Sequence, residues 1–124
     1  MKRDMDLIRK IAFLVESSDS DLFSTSIAID GYNANQIAYH CALMHESKLI
    51  DCIDAMDLGS QHPEFIINRL TSRGHDFADA SRNETVWKKT IATIKNTVGT
   101  TTIEVLLQYL KLEIRKTLGM PEES

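Results

Sequence analysis

The stretch "GYNANQIAYHCALMHESKLIDCID", residues 31–54, sets a turn, an amphipathic helix and the start of a strand in a row. The turn is centred on Gly31, and Asn33 is a residue type that caps helices. We predict a helix over residues 34–47 with one apolar stripe facing the core. The stripe consists of Ile37, Cys41 and Met44, with Ala34, Ala38 and His45 beside it.

The remaining surface of this helix is predicted to face solvent or a binding partner. The candidate contact residues, for DNA or for a protein, are Asn35, Gln36, Tyr39, His40 and Leu43. Asparagine and glutamine can pair with adenine edges, and tyrosine or histidine can contact a phosphate or a base. The same residue types are ordinary on helices that face only water. The pattern therefore permits a DNA-reading helix without requiring one.

The segments around this helix predict a mostly helical α+β domain. The expected order is a first helix at 4–16, a short strand at 26–30, and two strands at 49–56 and 65–70. The last two read as an antiparallel β-hairpin whose tip carries Gly59 and Pro63.

Three further helices are predicted after the hairpin. Thr71 or Ser72 can cap the first, which runs to about Ser81, and Asn83 can cap the second. The last begins at the capping box formed by residues 101 and 104 and is stopped by Gly119 and Pro121. In the second of these helices we expect Trp87 to be a core anchor, because a large aromatic side chain on an apolar helix face is usually buried.

Composition limits the class of protein. The chain has 124 residues, 43% hydrophobic, with five glycines and two prolines, which fits one compact domain. No stretch approaches the roughly 20 apolar residues that a transmembrane helix needs, and the N-terminus lacks the pattern of a signal peptide. We therefore expect a cytoplasmic protein without membrane contact, with Cys41 and Cys52 reduced.

Three blocks of sequence carry a resemblance. "MKRDMDLIRKI" at 1–11, "GYNANQIAYHCALMHESKLI" at 31–50 and "LTSRGHDFADASRNETVW" at 70–87 resemble a family of bacterial phage and prophage proteins catalogued as a domain of unknown function. That family is similar to winged-helix proteins. The resemblance implies a single winged-helix-like domain over 1–124, with core and hairpin wing in 1–70 and additional C-terminal helices in 71–119.

The chain departs from this family at the end of the central helix. Related sequences often have Ala-Gly where this chain has Ser47 and Lys48. Glycine would permit a left-handed exit from the helix at no steric cost. Either Lys48 adopts that conformation or the helix ends in another way.

Charge favours a protein partner over DNA. The net charge is −4 and the pI near 5.5, without the basic character usual in nucleic-acid binders. In the predicted wing, no lysine or arginine precedes Arg69, so a wing laid on phosphates would be repelled. Its acidic residues are Asp51, Asp54, Asp57 and Glu64. We predict a non-enzymatic binding or regulatory module that acts mainly through protein contacts, with a sequence-specific DNA-binding regulator as the alternative.

Metal binding and catalysis have weaker support. Cys41 and His45 stand four apart on one helix face, a spacing that lets two side chains meet one ion, and Cys52 or His62 could complete the set. Cys41 also lies on the apolar stripe, where a buried thiol is the ordinary occupant. The chain has no CxxC or HxxxH pair, phosphate loop or nucleophile elbow. We predict no metal, no cofactor and no catalytic residues.

The last helix predicts self-association. It has an apolar seam at Ile103, Leu107, Leu110 and Ile114. Leu106 lies on the flank of this seam and Leu112 points away from it, so one domain would not cover both. We predict a homodimer in which Leu106 and Leu112 contact the second copy. In the alternative interpretation, the helix packs only on the preceding helix of its own chain.

Overall fold

The computed structural model describes residues 1–54, 64–97 and 101–119. The chain divides into two compact units, Met1–Ala78 and Asp79–Ser124. The sequence suggested that core and wing end at residue 70, whereas the first unit continues into the helix that follows the hairpin.

The described residues form five α-helices and three short strands, so the mostly helical α+β class is confirmed. The helices are α1 (Met5–Ser17), α2 (Ala34–Glu46), α3 (Ser72–Ser81), α4 (Glu84–Thr97) and α5 (Ile103–Thr117). The strands are β1 (Leu22–Phe23), β2 (Ile50–Asp54) and β3 (Phe65–Leu70), and a 3-10 turn spans Ser24–Ser26. None of the helices in the described ranges is long and apolar enough to cross a bilayer.

The three strands form one antiparallel sheet in the order β1-β3-β2. The predicted hairpin is confirmed, because β2 and β3 pair with each other, with a register irregularity between Asp51 and Cys52. The predicted hairpin tip with Gly59 and Pro63 lies outside the described residues.

The strand predicted at 26–30 is wrong, and the first strand is β1, four residues earlier in the chain. The buried hydroxyl of Ser24 accepts a hydrogen bond from the backbone N–H of Phe65 at 2.9 Å. This bond comes where the chain turns into the 3-10 segment, so strand pairing stops there and residues 26–30 continue without a strand partner.

The core of the first unit lies between α1, α2 and the inner face of the sheet. Asn33 caps α2 as predicted, since its side chain accepts from the N–H of Gln36, and the side chain of Asp4 caps α1 by accepting from the N–H of Leu7. The side-chain oxygen of Gln36 accepts the N–H of Asn33 in turn, which completes a capping box. The buried side chains of α1 and α2 are Leu7, Ile8, Ile11, Ala12, Val15, Ile37, His40, Cys41 and Met44, so the predicted stripe of α2 is confirmed.

The turn between α2 and β2 depends on a left-handed residue. Lys48 has φ 62°, and its N–H donates to the carbonyl of His45 at 3.0 Å. The next residue, Leu49, donates to Met44 at 2.9 Å, so the last carbonyls of the helix are satisfied. Lys48 therefore adopts the conformation for which the resembling family often uses glycine.

Lys48→Gly is expected to raise the free energy of unfolding by about 1 kcal/mol, because a residue with a Cβ pays roughly 1 to 2 kcal/mol for left-handed backbone and glycine does not. Urea denaturation measures the change. Lys48→Ala is the control, because alanine keeps the Cβ but removes the charge. Equal stabilisation by both variants would show that charge, not backbone, limits stability here.

In the second unit, α4 and α5 pack against each other. Asn83 caps α4 as predicted, accepting from the N–H of Val86 at 3.0 Å. Trp87 is 2% exposed, which confirms its predicted burial.

The start of α5 differs from prediction by one residue. Thr102 is the cap and accepts from the N–H of Val105. Thr101 instead donates its hydroxyl to the carbonyl of Thr102. The third residue after Thr102 is Val105, which has no side-chain acceptor, so the predicted capping box does not form. Gly119, with φ 70°, follows the end of the helix as expected.

Candidate functional site

The candidate contact residues of α2 do not share one surface. Asn35 is exposed, and Gln36, Tyr39 and Leu43 are half-buried. His40 is only 1% exposed, so its predicted role as a contact residue is wrong. The buried positions of α2 follow the helical spacing of 37, 40, 41 and 44, and His40 completes that set. The signal was present in the sequence, but a polar residue was assigned to the surface.

His40 links the two core helices of the first unit. Its Nε2 accepts the backbone N–H of Asp4 at 2.8 Å, and its Nδ1 lies 2.7 Å from the carbonyl of Gln36. A neutral imidazole with its hydrogen on Nδ1 satisfies both bonds. The interior position of this polar ring is therefore fully hydrogen-bonded, and the residue is structural.

Tyr32 extends the same network. Its hydroxyl donates to Oδ2 of Asp4 at 2.9 Å, and Nζ of Lys10 lies 5.5 Å from its ring centroid. Desolvation, followed by the bond to Asp4, raises the pKa of Tyr32 from 10.0 to about 12. Because the pKa is raised, the protonated phenol favours folding below pH 10, and this contribution is lost as pH rises through about 12.

Two cationic side chains of α1, Arg9 and Lys10, contact aromatic rings within the fold. Lys10 lies over the ring of Tyr32, and the guanidinium carbon of Arg9 lies 5.1 Å from the ring centroid of Phe13. Both cations thus contact aromatic rings of the first unit.

The outer face of the sheet carries an apolar row that sequence reasoning missed. Ile66 on the central strand lies opposite Phe23 on one side and opposite Ile53 on the other. Directly opposed residues of antiparallel strands point to the same face. Phe23 is 46% exposed and Ile53 59% exposed, while Ile66 is half-buried. Their neighbours Leu22, Ile67 and Cys52 align on the opposite, inner face.

This row, Phe23, Ile66 and Ile53, is called the sheet row below. Part of this row could have been predicted from the sequence, since Ile53 and Ile66 fall within predicted strands. Phe23 could not be placed, because β1 was predicted at the wrong position. The row spans all three strands of the sheet.

The polar groups near the sheet row are largely paired. Arg69 Nη2 lies 2.7 Å from Asp51 Oδ2, and the hydroxyl of Thr25 donates to Glu64 at 2.6 Å. Both ends of the Arg69–Asp51 pair are well exposed, so it adds little stability. Its consequence is electrostatic: Arg69 is neutralised by its neighbour. Asp57 and the side chain of Asp54 lie outside the described residues.

A cleft of about 400 Å³ lies beside the end of α2 and the start of α3. It is lined by His45, Lys48, Ile50, Asp51, Thr71, Ser72 and Arg73. Nε of Arg73 is buried and has no hydrogen-bond partner among the residues that the structure describes. The cationic side chains share the cleft with the carboxylate of Asp51, so its charge is mixed and does not single out an anion.

Cys41 and His45, whose spacing would allow two side chains to meet one ion, differ in their exposure to solvent. Cys41 is fully buried, whereas His45 is exposed. Burial, with a smaller contribution from Cys52, raises the pKa of the Cys41 thiol to about 12, so the thiolate that binds metals is disfavoured. Across the described ranges, no three histidine, cysteine, aspartate or glutamate side chains are grouped to hold a metal ion. Both cysteines are free thiols.

The two predicted dimer contacts of α5, Leu106 and Leu112, differ in their exposure to solvent. Leu106 is 0% exposed, so its predicted role at the dimer surface is wrong. At 3.6 residues per turn, Leu106 falls inside the apolar stripe that it was thought to flank. The buried residues of α5 are Ile103, Leu106, Leu107 and Leu110. Leu112 is 42% exposed and Val105 36%, so an apolar strip does remain on the outer side.

Comparison with known proteins agrees with the sequence blocks. The family described as "Hypothetical protein (DUF2513)" matches residues 2–101. A Haemophilus influenzae protein named "Uncharacterized protein" is 31% identical over 120 residues, covering 96% of this chain and 100% of that relative. No solved structure matches the chain. The length of the family match and the full coverage of the relative show that the chain belongs to the DUF2513 family.

Proposed function

We propose that this chain is a non-enzymatic protein-binding module whose first unit docks a partner on the sheet row. The observation that carries the proposal is the exposure of Phe23 and Ile53 on either side of Ile66. Single exposed apolar residues are ordinary, but a contiguous apolar row marks an interaction surface. Aromatic side chains such as Phe23 are also enriched among the residues that contribute most to binding at interfaces.

The charge of the first unit supports a protein partner rather than DNA. From residue 33 to 47, which includes all of α2, Glu46 is the only Asp, Glu, Lys or Arg. A helix that reads DNA gains affinity from lysine and arginine contacts to phosphates, and this one offers none. In the described part of the hairpin, Arg69 is the only cation, and it is paired with Asp51.

The side chains that could read bases are also partly engaged. Gln36 uses its side-chain oxygen to accept the N–H of Asn33, which holds the capping box together. Asn35 is exposed and remains available for a base contact. DNA recognition by α2 is therefore the second proposal, and it rests on Asn35 and Tyr39.

A winged-helix relationship is part of the proposal. The order helix, strand, 3-10 turn, helix and hairpin, with β1 on the free edge of β3, supports it. The segment between β1 and α2 holds a 3-10 turn where a helix-turn-helix protein has its positioning helix. This shortening favours a winged-helix-like unit adapted to protein contacts. The phage or prophage setting rests on the resemblance of the three sequence blocks.

Phe23→Ser and Ile53→Ser are expected to abolish partner capture, because each removes an apolar side chain from the sheet row. Tagged protein would be incubated with bacterial lysate and the retained proteins quantified by mass spectrometry. Asn68→Ser, an exposed substitution on β3, is the matched control. Partners of the sheet row should be retained by wild type and by Asn68→Ser and lost from both other variants.

Labelled random-sequence duplex DNA, titrated in parallel at physiological salt, is expected to bind no tighter than ~10⁻⁶ M. Two results would contradict the proposal. One is a set of captured proteins that does not change with Phe23→Ser or Ile53→Ser. The other is sub-micromolar DNA binding that Asn35→Ala and Tyr39→Ala remove, which would establish the second proposal instead.

A further inference from the structure

We propose that α5 pairs with α5 of a second copy of this chain in an antiparallel, two-fold arrangement centred on Gln108. This inference goes beyond the proposed function, because it uses the other compact unit and a different partner. The inference depends on residues of the outer side of α5, and none of them belongs to the sheet row.

The outer side of α5 has the spacing of a helix-pairing seam. Val105, Gln108 and Leu112 follow one another at three and four residues, and all three are exposed. They lie opposite the buried stripe that ends in Leu107 and Leu110. A recess of about 320 Å³ lined by Gln108, Lys111, Leu112 and Arg115 opens on this side. The strip therefore combines apolar side chains with a depression that a facing side chain can fill.

Charge along the helix identifies the second copy as the occupant. One flank of the strip carries Glu104 and, seven residues later, Lys111. Neither side chain has a hydrogen-bond or ion-pair partner within the described ranges. In an antiparallel helix pair, the side of the seam that carries Glu104 and Lys111 in one copy adjoins the same side in the other copy. When two copies of α5 run antiparallel about Gln108, Glu104 of each copy therefore faces Lys111 of the other. The two-fold axis generates this pair twice.

A parallel arrangement is electrostatically worse. It would bring opposite flanks together and set Lys111 beside Lys116 of the second copy. Like charges at that distance repel, whereas antiparallel helices also oppose their dipoles favourably. Direction is thus determined by the sequence of charges along one helix.

The interface should be weak. α5 has 15 residues, and one helix pair of that length falls at the lower end of interface sizes. We expect a dissociation constant on the order of 10 to 100 µM, so that dilute protein is monomeric.

Analytical ultracentrifugation of the full chain between about 5 and about 500 µM tests the proposal across the expected dissociation range. The mass should rise from 14.0 kDa towards twice that value. Leu112→Glu should abolish the rise. Leu118→Glu is the matched control, because Leu118 is 67% exposed on the same chain segment but lies outside the strip. It should leave the rise unchanged.

Charge exchange tests the antiparallel direction. Glu104→Lys and Lys111→Glu should each weaken association by about fivefold, since exposed pairs contribute modestly and the axis doubles them. The double variant should restore wild-type association. In a parallel pair, Lys111→Glu alone would instead strengthen it.

Several results would overturn the proposal. They are a wild-type mass of 14.0 kDa at every concentration, unchanged association in Leu112→Glu, a double charge variant that stays weak, or strengthening by Lys111→Glu alone. Ile53→Ser should not affect association. If that variant removed the dimer, self-association would belong to the sheet row, which separates failure of this inference from failure of the proposed function.

Discussion

Trp87→Ala is expected to lower the free energy of unfolding by about 3 to 5 kcal/mol, the usual cost of truncating a buried aromatic side chain. Trp87 is 2% exposed and lies on the buried face of α4 with Val86, Thr90 and Ile94. Small domains are stabilised by about 5 to 15 kcal/mol in total, so this loss is a large share. The variant should unfold at much lower urea concentration than wild type.

Lys89→Ala is the matched control for this experiment. Lys89 is on the same helix but exposed, and alanine is the better helix former, so its midpoint should stay close to wild type. Wild-type stability in Trp87→Ala would show that the indole does not contribute to the core.

Gly74→Ala is expected to destabilise the protein by about 2 to 3 kcal/mol, although alanine ordinarily favours a helix by about 1 kcal/mol over glycine. A Cβ on Gly74 would overlap the carbonyl oxygen of Leu49 and lie 3.2 Å from Cβ of Leu70. The oxygen belongs to the backbone and also accepts the N–H of Thr71 at 2.9 Å, so it cannot simply rotate away. α3 would have to move away from the chain around Leu49.

Asp76→Ala on the same helix separates helix propensity from this clash. Asp76 is exposed, so its replacement should be neutral or slightly stabilising in urea denaturation. If Gly74→Ala were stabilising, as Asp76→Ala is expected to be, the result would contradict the close approach of α3 to Leu49.

The helices and the caps of α2 and α4 could be predicted because their signals are local, whereas the predicted cap of α5 was one residue off. The stripe of α2 repeats at helical spacing within 13 residues, and Asn33 satisfies an N–H only three residues away. The same holds for Asn83 at the start of α4. Each cap depends on two residues within one helical turn, and the stripe depends on the spacing within one helix, so both patterns are visible in the sequence.

The position of β1 was predicted wrongly because a distant partner decides it. The hydroxyl of Ser24, next to β1, accepts a hydrogen bond from the N–H of Phe65, 41 positions away, and the ring of His40 accepts one from Asp4, 36 positions away. Phe23 joins the sheet row only through its pairing with Ile66. No periodicity in the sequence announces these partners, so the site that carries the proposed function could not be assembled from the sequence alone.

The strand order β1-β3-β2 also predicts the order in which the strands pair during folding. The hairpin of β2 and β3 joins segments that are near in sequence, whereas β1 must find β3 across all of α2 and β2. Non-local pairing of this kind requires closure of a long loop before its contacts are gained. We expect β1 to attach after the hairpin has formed and to be the first strand to detach in native-state hydrogen exchange. With only two residues in β1, its release would uncover one edge of β3 for pairing with another extended chain.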